Sequence, residues 1–101
     1  MEETQELPLL EGMFCFSTAL AYLKAGQRIT HEHWPEQTFV YLVAGSTFEV
    51  NREPLLSLVP AGTVITYNPH IDLFCQGTAS AMTFTTGDLL SEEWRLYVEK
   101  N

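Results

Sequence analysis

Hydrophobic positions along this chain change their period, and the change marks out the elements. Early on, Phe16, Ala19, Leu20 and Leu23 recur at i, i+3, i+4 and i+7, the spacing that gathers side chains on one stripe of a helix. Ser17 can act as the N-cap, and Gly26 stands where a left-handed C-cap is wanted, so one short amphipathic helix is predicted. From Gln27 onward the period falls to two. Segments 28–30 and 38–43 are rich in β-branched and aromatic residues and are bounded by Trp34-Pro35 and Gly45, which predicts strands. Pro54, Pro60, Gly62 and Pro69 punctuate the middle third, leaving room for short strands near 63–67, 71–76 and 79–84. Asp88 is placed to cap a single helical turn over 89–93, before a last strand at 94–98.

One stretch fits neither period. Residues 43–56, closed downstream by 67–72, interleave turn formers with Phe48, Asn51, Arg52, Tyr67, His70 and Asp72, a mixture that packing alone does not require. It reads as a loop-rich rim that touches something. No repeat, linker or low-complexity tract interrupts the rest, so the pattern predicts one small α+β domain, a short N-terminal helix packed on an antiparallel sheet. Residues 1–12, acidic and carrying Pro8, read as an arm, and 13–101 as the domain.

Composition sharpens this picture. A chain of 101 residues hides only about 60 to 70% of the surface its unfolded form exposes, so its core is thin. Six Phe, four Tyr and two Trp are more large apolar side chains than such a core hides, and the surplus implies contact with other copies of the chain. Five Lys plus Arg against thirteen Asp plus Glu give a net charge of −8, which repels polyanions and argues against duplex or single-stranded nucleic acid as a partner. A compact anion is still compatible, because Arg28, Arg52, His70 and backbone N–H groups act at short range. Cys15 and Cys75 lack any partner at metal or disulfide spacing and read as buried thiols. The acidic start has no signal-peptide pattern, and no apolar run approaches the roughly 20 residues of a membrane span, so a cytoplasmic protein without membrane contact is expected.

The candidate chemistry leaves alternatives open. His31-x-His33, then Glu36 and later His70, superficially resembles a cupin metal set, since i and i+2 side chains on a strand share a face; surface or hydrogen-bonded histidines are the plainer alternative. Trp34, before Pro35, offers a platform for stacking a base, or simply fills a core or interface. Arg52 beside Asn51 suits a phosphate with its sugar, unless it bridges structurally to Glu49, Glu53 or Asp72. Ser17, Ser46 and Thr85 lack a nucleophile-elbow context, so catalysis has no support and no cofactor is indicated.

An ordered series of segments, namely 16–26, Trp34, 42–56, Gly62-Thr63, 67–72 and 88–94, resembles the Thoeris anti-defence 2 proteins of phages over about residues 14–98. The resemblance implies a non-enzymatic sponge that sequesters a cyclic ADP-ribose isomer made by a TIR-domain enzyme, in the cytoplasm of the infected bacterium. It further implies a homotetramer with pockets between subunits, some relatives also binding cyclic oligonucleotides. Carried across by position, Trp34 would stack on a base or shape the pocket; Asn51 and Arg52 would contact sugar or phosphate; His70, Asp72 and Asp88 would add polar contacts or hold the loops. Phe48 and Tyr67 fall within the matching segments and join the expected site. The chain also departs from the family. His31 stands where relatives have Arg, Trp34-Pro35-Glu36 where they have Trp-Asn-Gly, and Met82-Thr83-Phe84-Thr85 replaces Trp-x-Pro-Ser, with Met82 or Phe84 able to fill the lost indole's space.

Overall fold

The computed structural model describes residues 12–99; the acidic arm expected over 1–12 lies, Gly12 aside, outside them. Helix α1 (Phe16–Lys24) is followed by strands β1 (Ile29–His31), β2 (Thr38–Val43), β3 (Ser46–Glu49), β4 (Val64–Tyr67), β5 (His70–Cys75) and β6 (Thr78–Ala81). A short helix α2 (Thr86–Leu90) and strand β7 (Trp94–Leu96) complete the order. Five strands form an antiparallel sheet in the order β6-β5-β2-β1-β7, while β3 and β4 make a separate pair. The expected α+β architecture is therefore what the chain adopts.

Helix α1 lies over β1, β2 and β7 because its apolar stripe meets the inward face of those strands. Ala19, Tyr22, Leu23, Ile29, Val40 and Trp94 form the buried cluster at that contact, with Phe14, Phe16, Leu73 and Phe84 packed around it. Phe16 meets Phe84 and Trp94 edge-on, at centroid distances of 4.9 and 5.7 Å. The helix begins two residues earlier than expected. Phe14 exchanges backbone hydrogen bonds with Trp94, which holds the chain extended through Cys15, so Cys15 takes the N-cap position and Ser17 lies inside the helix. Gly26 does adopt the left-handed conformation, φ +92°, that ends the helix.

The largest correction falls on the rim. Residues 46–49 form strand β3 rather than loop, paired with β4, and 55–57 make a turn of 3-10 helix. Partner numbers add to 113 in both ladders, Val43 with His70 and Ser46 with Tyr67, so β2–β3 and β4–β5 are the two sides of one long hairpin in continuous register. The ladder breaks between them, over residues 44–45 and 68–69, where Gly45 lies close against the Tyr67 carbonyl and Pro69. Proline has no N–H to donate, and a side chain at Gly45 would collide with the Tyr67 carbonyl oxygen and the Pro69 ring, so only glycine lets the two sides close at the bend. Beyond it, among the described elements, β3 and β4 pack only against each other.

Other bounds shift by a residue or two. The strand expected over 79–84 ends at Ala81, because Met82 donates a last bond to the Ile71 carbonyl before the chain leaves the sheet. The helical turn expected at 89–93 starts earlier, at Thr86, with Thr85 and not Asp88 as its N-cap. Cys15 is exposed and Cys75 half-buried, so neither is the fully buried thiol expected. Among the described residues no helix is long and apolar enough to cross a membrane.

Candidate functional site

The turn between β1 and β2 carries Trp34. Its backbone N–H donates to the His31 carbonyl at 3.0 Å, and its indole stands edge-on to buried Trp94, centroids 5.3 Å apart and planes at 87°. Trp94 is itself fixed by its indole N–H, which donates to the Asp88 carbonyl at 2.9 Å. Trp34 is thus half-buried, with one edge in the core and the remainder at the surface.

Across from it, the chain leaving β6 turns into α2. Thr85 Oγ1 accepts the Asp88 N–H at 3.1 Å while the Asp88 carboxylate accepts the Thr85 N–H at 2.9 Å, a reciprocal cap that locks this corner. Between the two walls lies an open groove of about 420 Å³, lined by Trp34, Pro35, Thr38, Leu73, Ala81, Met82, Thr83 and Asp88. That volume falls within the roughly 300–1,000 Å³ of small-molecule sites. A second groove, about 180 Å³, runs on the other side of Trp34 and Pro35 along Thr30, Arg95 and Tyr97. It is below that range.

The expected residues fall in two separate places. Trp34, Met82 and Asp88 line the larger groove; Thr85 caps α2 beside it, and Phe84 turns inward against Phe16 and Trp94. Phe48, Asn51, Arg52 and Tyr67 lie on the β3–β4 arm, with His70 and Asp72 at its root. The arm leaves from the far end of β2, roughly 16 Å along the strand from Thr38 at about 3.3 Å per residue, and it does not fold back on the sheet. One chain does not bring the two sets together.

Their environments differ as well. Phe48 and Tyr67 face each other on the arm, centroids 5.5 Å apart. The ion pairs weighed for Arg52 do not form. Glu53 instead caps the 3-10 turn, accepting the Ser57 N–H and hydroxyl at 3.1 and 2.7 Å, and Asp72 lies 3.3 Å from His70 Nε2. Arg28 pairs with Glu99 at 3.2 Å and Arg95 with Glu32 at 3.0 Å, so among the described arginines Arg52 alone has no carboxylate partner. Arg28 is further held over the rings of Phe39 and Tyr97, at 5.2 and 4.9 Å.

The cupin-like metal set expected as an alternative does not assemble. His31 Nε2 bonds Ser91 Oγ at 2.7 Å and its Nδ1 accepts the His33 N–H at 3.2 Å, while His33 Nε2 pairs with Glu93 at 2.9 Å. His70 sits on β5 next to Asp72, two strands from β1. Among the described residues no group of three His, Cys, Asp or Glu is placed to hold a metal ion. Nor is Ser91 an activated nucleophile. With Nδ1 accepting, the uncharged His31 ring carries its proton on Nε2 and donates it to Ser91, the reverse of a general base.

Thr38 and Leu73 line the groove but read in the sequence as ordinary strand residues. The available signal is alternation, which puts both on the same face as buried Val40. Cys15, at the start of α1, is the group whose acidity is clearly changed. Hydrogen bonding from Ser17 first, then Thr18, lowers its thiol from 9.0 to about 7.

The profile of the Thoeris anti-defense 2-like domain matches residues 14–97, nearly the whole described chain. No curated protein matches it.

Proposed function

Since the chain belongs to the Thoeris anti-defense 2-like family, and so serves to counter that bacterial defence, we propose that it binds a cyclic ADP-ribose isomer and withholds it uncleaved in the groove beside Trp34. The observation that carries the reading is the groove itself, of about 420 Å³, with an anchored indole on one wall and a fixed carboxylate on the other. A base stacks on Trp34, an interaction worth about 1–3 kcal/mol. Asp88, an acceptor, suits a ribose hydroxyl or an exocyclic amine and disfavours phosphate.

The diphosphate therefore needs a cation from elsewhere. Arg52, without a carboxylate partner, is that cation, and it lies on an arm set apart from its own chain's groove. The reading follows that identical chains assemble, the arm of one copy presenting Arg52 and Asn51 to the groove of another. Such a pocket removes water from the ligand on several sides, so the charge-assisted bonds to phosphate gain strength. The chain acts in the bacterial cytoplasm, where the signal is made.

Isothermal calorimetry against cyclic ADP-ribose isomers and cyclic oligonucleotides tests this. Micromolar or tighter binding of a cyclic ADP-ribose isomer, with the same compound recovered by mass after heat denaturation, is expected. An absence of binding across the panel, or recovery of a hydrolysed product, would contradict the proposal.

A further inference from the structure

We propose that His31 is the positioning residue for Trp34, and that adding a proton to its ring releases Trp34 and weakens capture as pH falls. This rests on the reading that Trp34 stacks on the ligand. The turn that carries Trp34 is pinned to His31 at two points, and His31 is itself tied to Ser91. The His31 carbonyl accepts the Trp34 N–H at 3.0 Å, ring atom Nδ1 accepts the His33 N–H at 3.2 Å, and Nε2 is tied to Ser91 Oγ at 2.7 Å. Ser91 Oγ in turn accepts the Glu93 N–H at 3.1 Å, so the far end of this chain of bonds is fixed in the lead-in to β7. The ring itself stands edge-on to Trp94, 4.8 Å between centroids, the same indole that braces Trp34.

The bond to Nδ1 exists only while that atom has a lone pair. An imidazolium has a donor on each nitrogen and no acceptor, so protonated His31 sets N–H against the N–H of His33 and the turn opens at that point. Imidazole is the side chain that changes charge between about pH 5 and 8. The charged groups on the segments that meet it are Glu32, His33 and Glu36 on its own turn, Glu92, Glu93 and Arg95 on the β7 segment, and Asp88 on α2, joined to it through Trp94. Glu32 is engaged by Arg95, and Asp88 by the backbone N–H of Thr85. His33 pairs with Glu93 at the surface, and its protonation strengthens that pair, an effect of opposite sign. Exposed pairs of this kind are weak, so the loss at His31 governs the turn.

Nitrogen-15 NMR of the full chain tests the proposal without ligand. At about pH 8 the His31 ring is expected to carry its proton on Nε2 alone, and the Trp34 indole N–H resonance is expected to shift in the same step as His31 on acidification. The Trp94 indole resonance, held by Asp88, reports that the fold persists. His31→Phe keeps a ring edge on Trp94 but no acceptor, and should abolish the Trp34 step; His33→Gln should retain it. A proton on Nδ1 in the parent protein would overturn the proposal even if the His31→Phe variant failed to fold. So would a Trp34 step that survives in His31→Phe or vanishes in His33→Gln. Capture of a cyclic ADP-ribose isomer should weaken by about tenfold or more between pH 8 and 5.5, and equal capture at both would also overturn it. Because the NMR readouts need no ligand, a chain that bound none of the isomers would sink the proposed function and leave the His31–Trp34 linkage to be judged on its own.

Discussion

Helix-backed sheet and β3–β4 arm draw on similar residues and treat them in opposite ways. Under α1, Leu23, Ile29, Val40 and Trp94 are fully buried, whereas on the arm Leu58, Val64 and Tyr67 are 72, 64 and 51% exposed. Val50 is the buried apolar residue of the arm, held at its tip by backbone bonds to Thr63 and Gly62. A lone two-stranded hairpin is marginal in water unless its apolar face packs on something. The sheet completes its core within one chain; the arm carries exposed apolar surface and a guanidinium without a carboxylate partner, which the proposed assembly would cover. The contrast separates residues that make the fold from residues that use it.

The largest effect should come from the sheet. Trp94→Ala removes the centre of the buried cluster and the bond to Asp88, and is expected to cost about 3–5 kcal/mol in chemical denaturation. A loss under about 1 kcal/mol would show that α1 and the sheet do not form one cooperative unit. Next is Arg52→Ala, expected to weaken ligand capture about 10- to 100-fold, the worth of a charge-assisted hydrogen bond, with the melting temperature unchanged. A fall in melting temperature without loss of capture would move Arg52 from the using class to the making class. Gly45→Ala forces a methyl group against the Tyr67 carbonyl and Pro69; overpacking of this kind costs about 1–3 kcal/mol. Its sharper signature is a re-aimed arm and a smaller assembly in light scattering.

These predictions also divide what the sequence made legible from what it did not. Helix α1 and the sheet strands could be read because burial on one side imposes a period, visible in Phe16, Ala19, Leu20 and Leu23. Strand β3 could not, since all four of its residues are exposed and no alternation distinguishes them. It forms through its pairing with β4, a partner distant in sequence. The α2 boundary was legible in retrospect, as Thr85 and Asp88 have the spacing of a reciprocal cap. The groove was legible in its walls, Trp34, Met82 and Asp88, through resemblance to the family. Its interior, Thr38 and Leu73, was hidden among core residues, and the distance between groove and arm is a tertiary fact that no local pattern encodes.

Two smaller effects sharpen the contrast further. Replacing Val64 and Tyr67 together by Ser should change the stability of the sheet by less than about 1 kcal/mol, because surface substitutions away from the core rarely do more; assembly should be lost instead. A large loss of stability would make the arm part of the fold. The smallest concerns Cys15, whose thiol is lowered from 9.0 to about 7 by Ser17 and Thr18. Its rate of alkylation by iodoacetamide should be half-maximal near that value when folded and move toward 9.0 on unfolding. A depressed pKa of this kind favours the folded state above the unfolded value and loses that contribution as pH falls through about 7. An unshifted profile would mean that the start of α1 is not held as described.

Native mass spectrometry of the purified chain mixed with a cyclic ADP-ribose isomer bears most directly on the central claim, since it reads the number of chains and the mass of the bound compound in one spectrum. The account predicts a multimer carrying ligand of unaltered mass, and an Arg52→Ala multimer carrying little. A monomer that retains the ligand as firmly as the assembly, or a multimer that binds none, would contradict it.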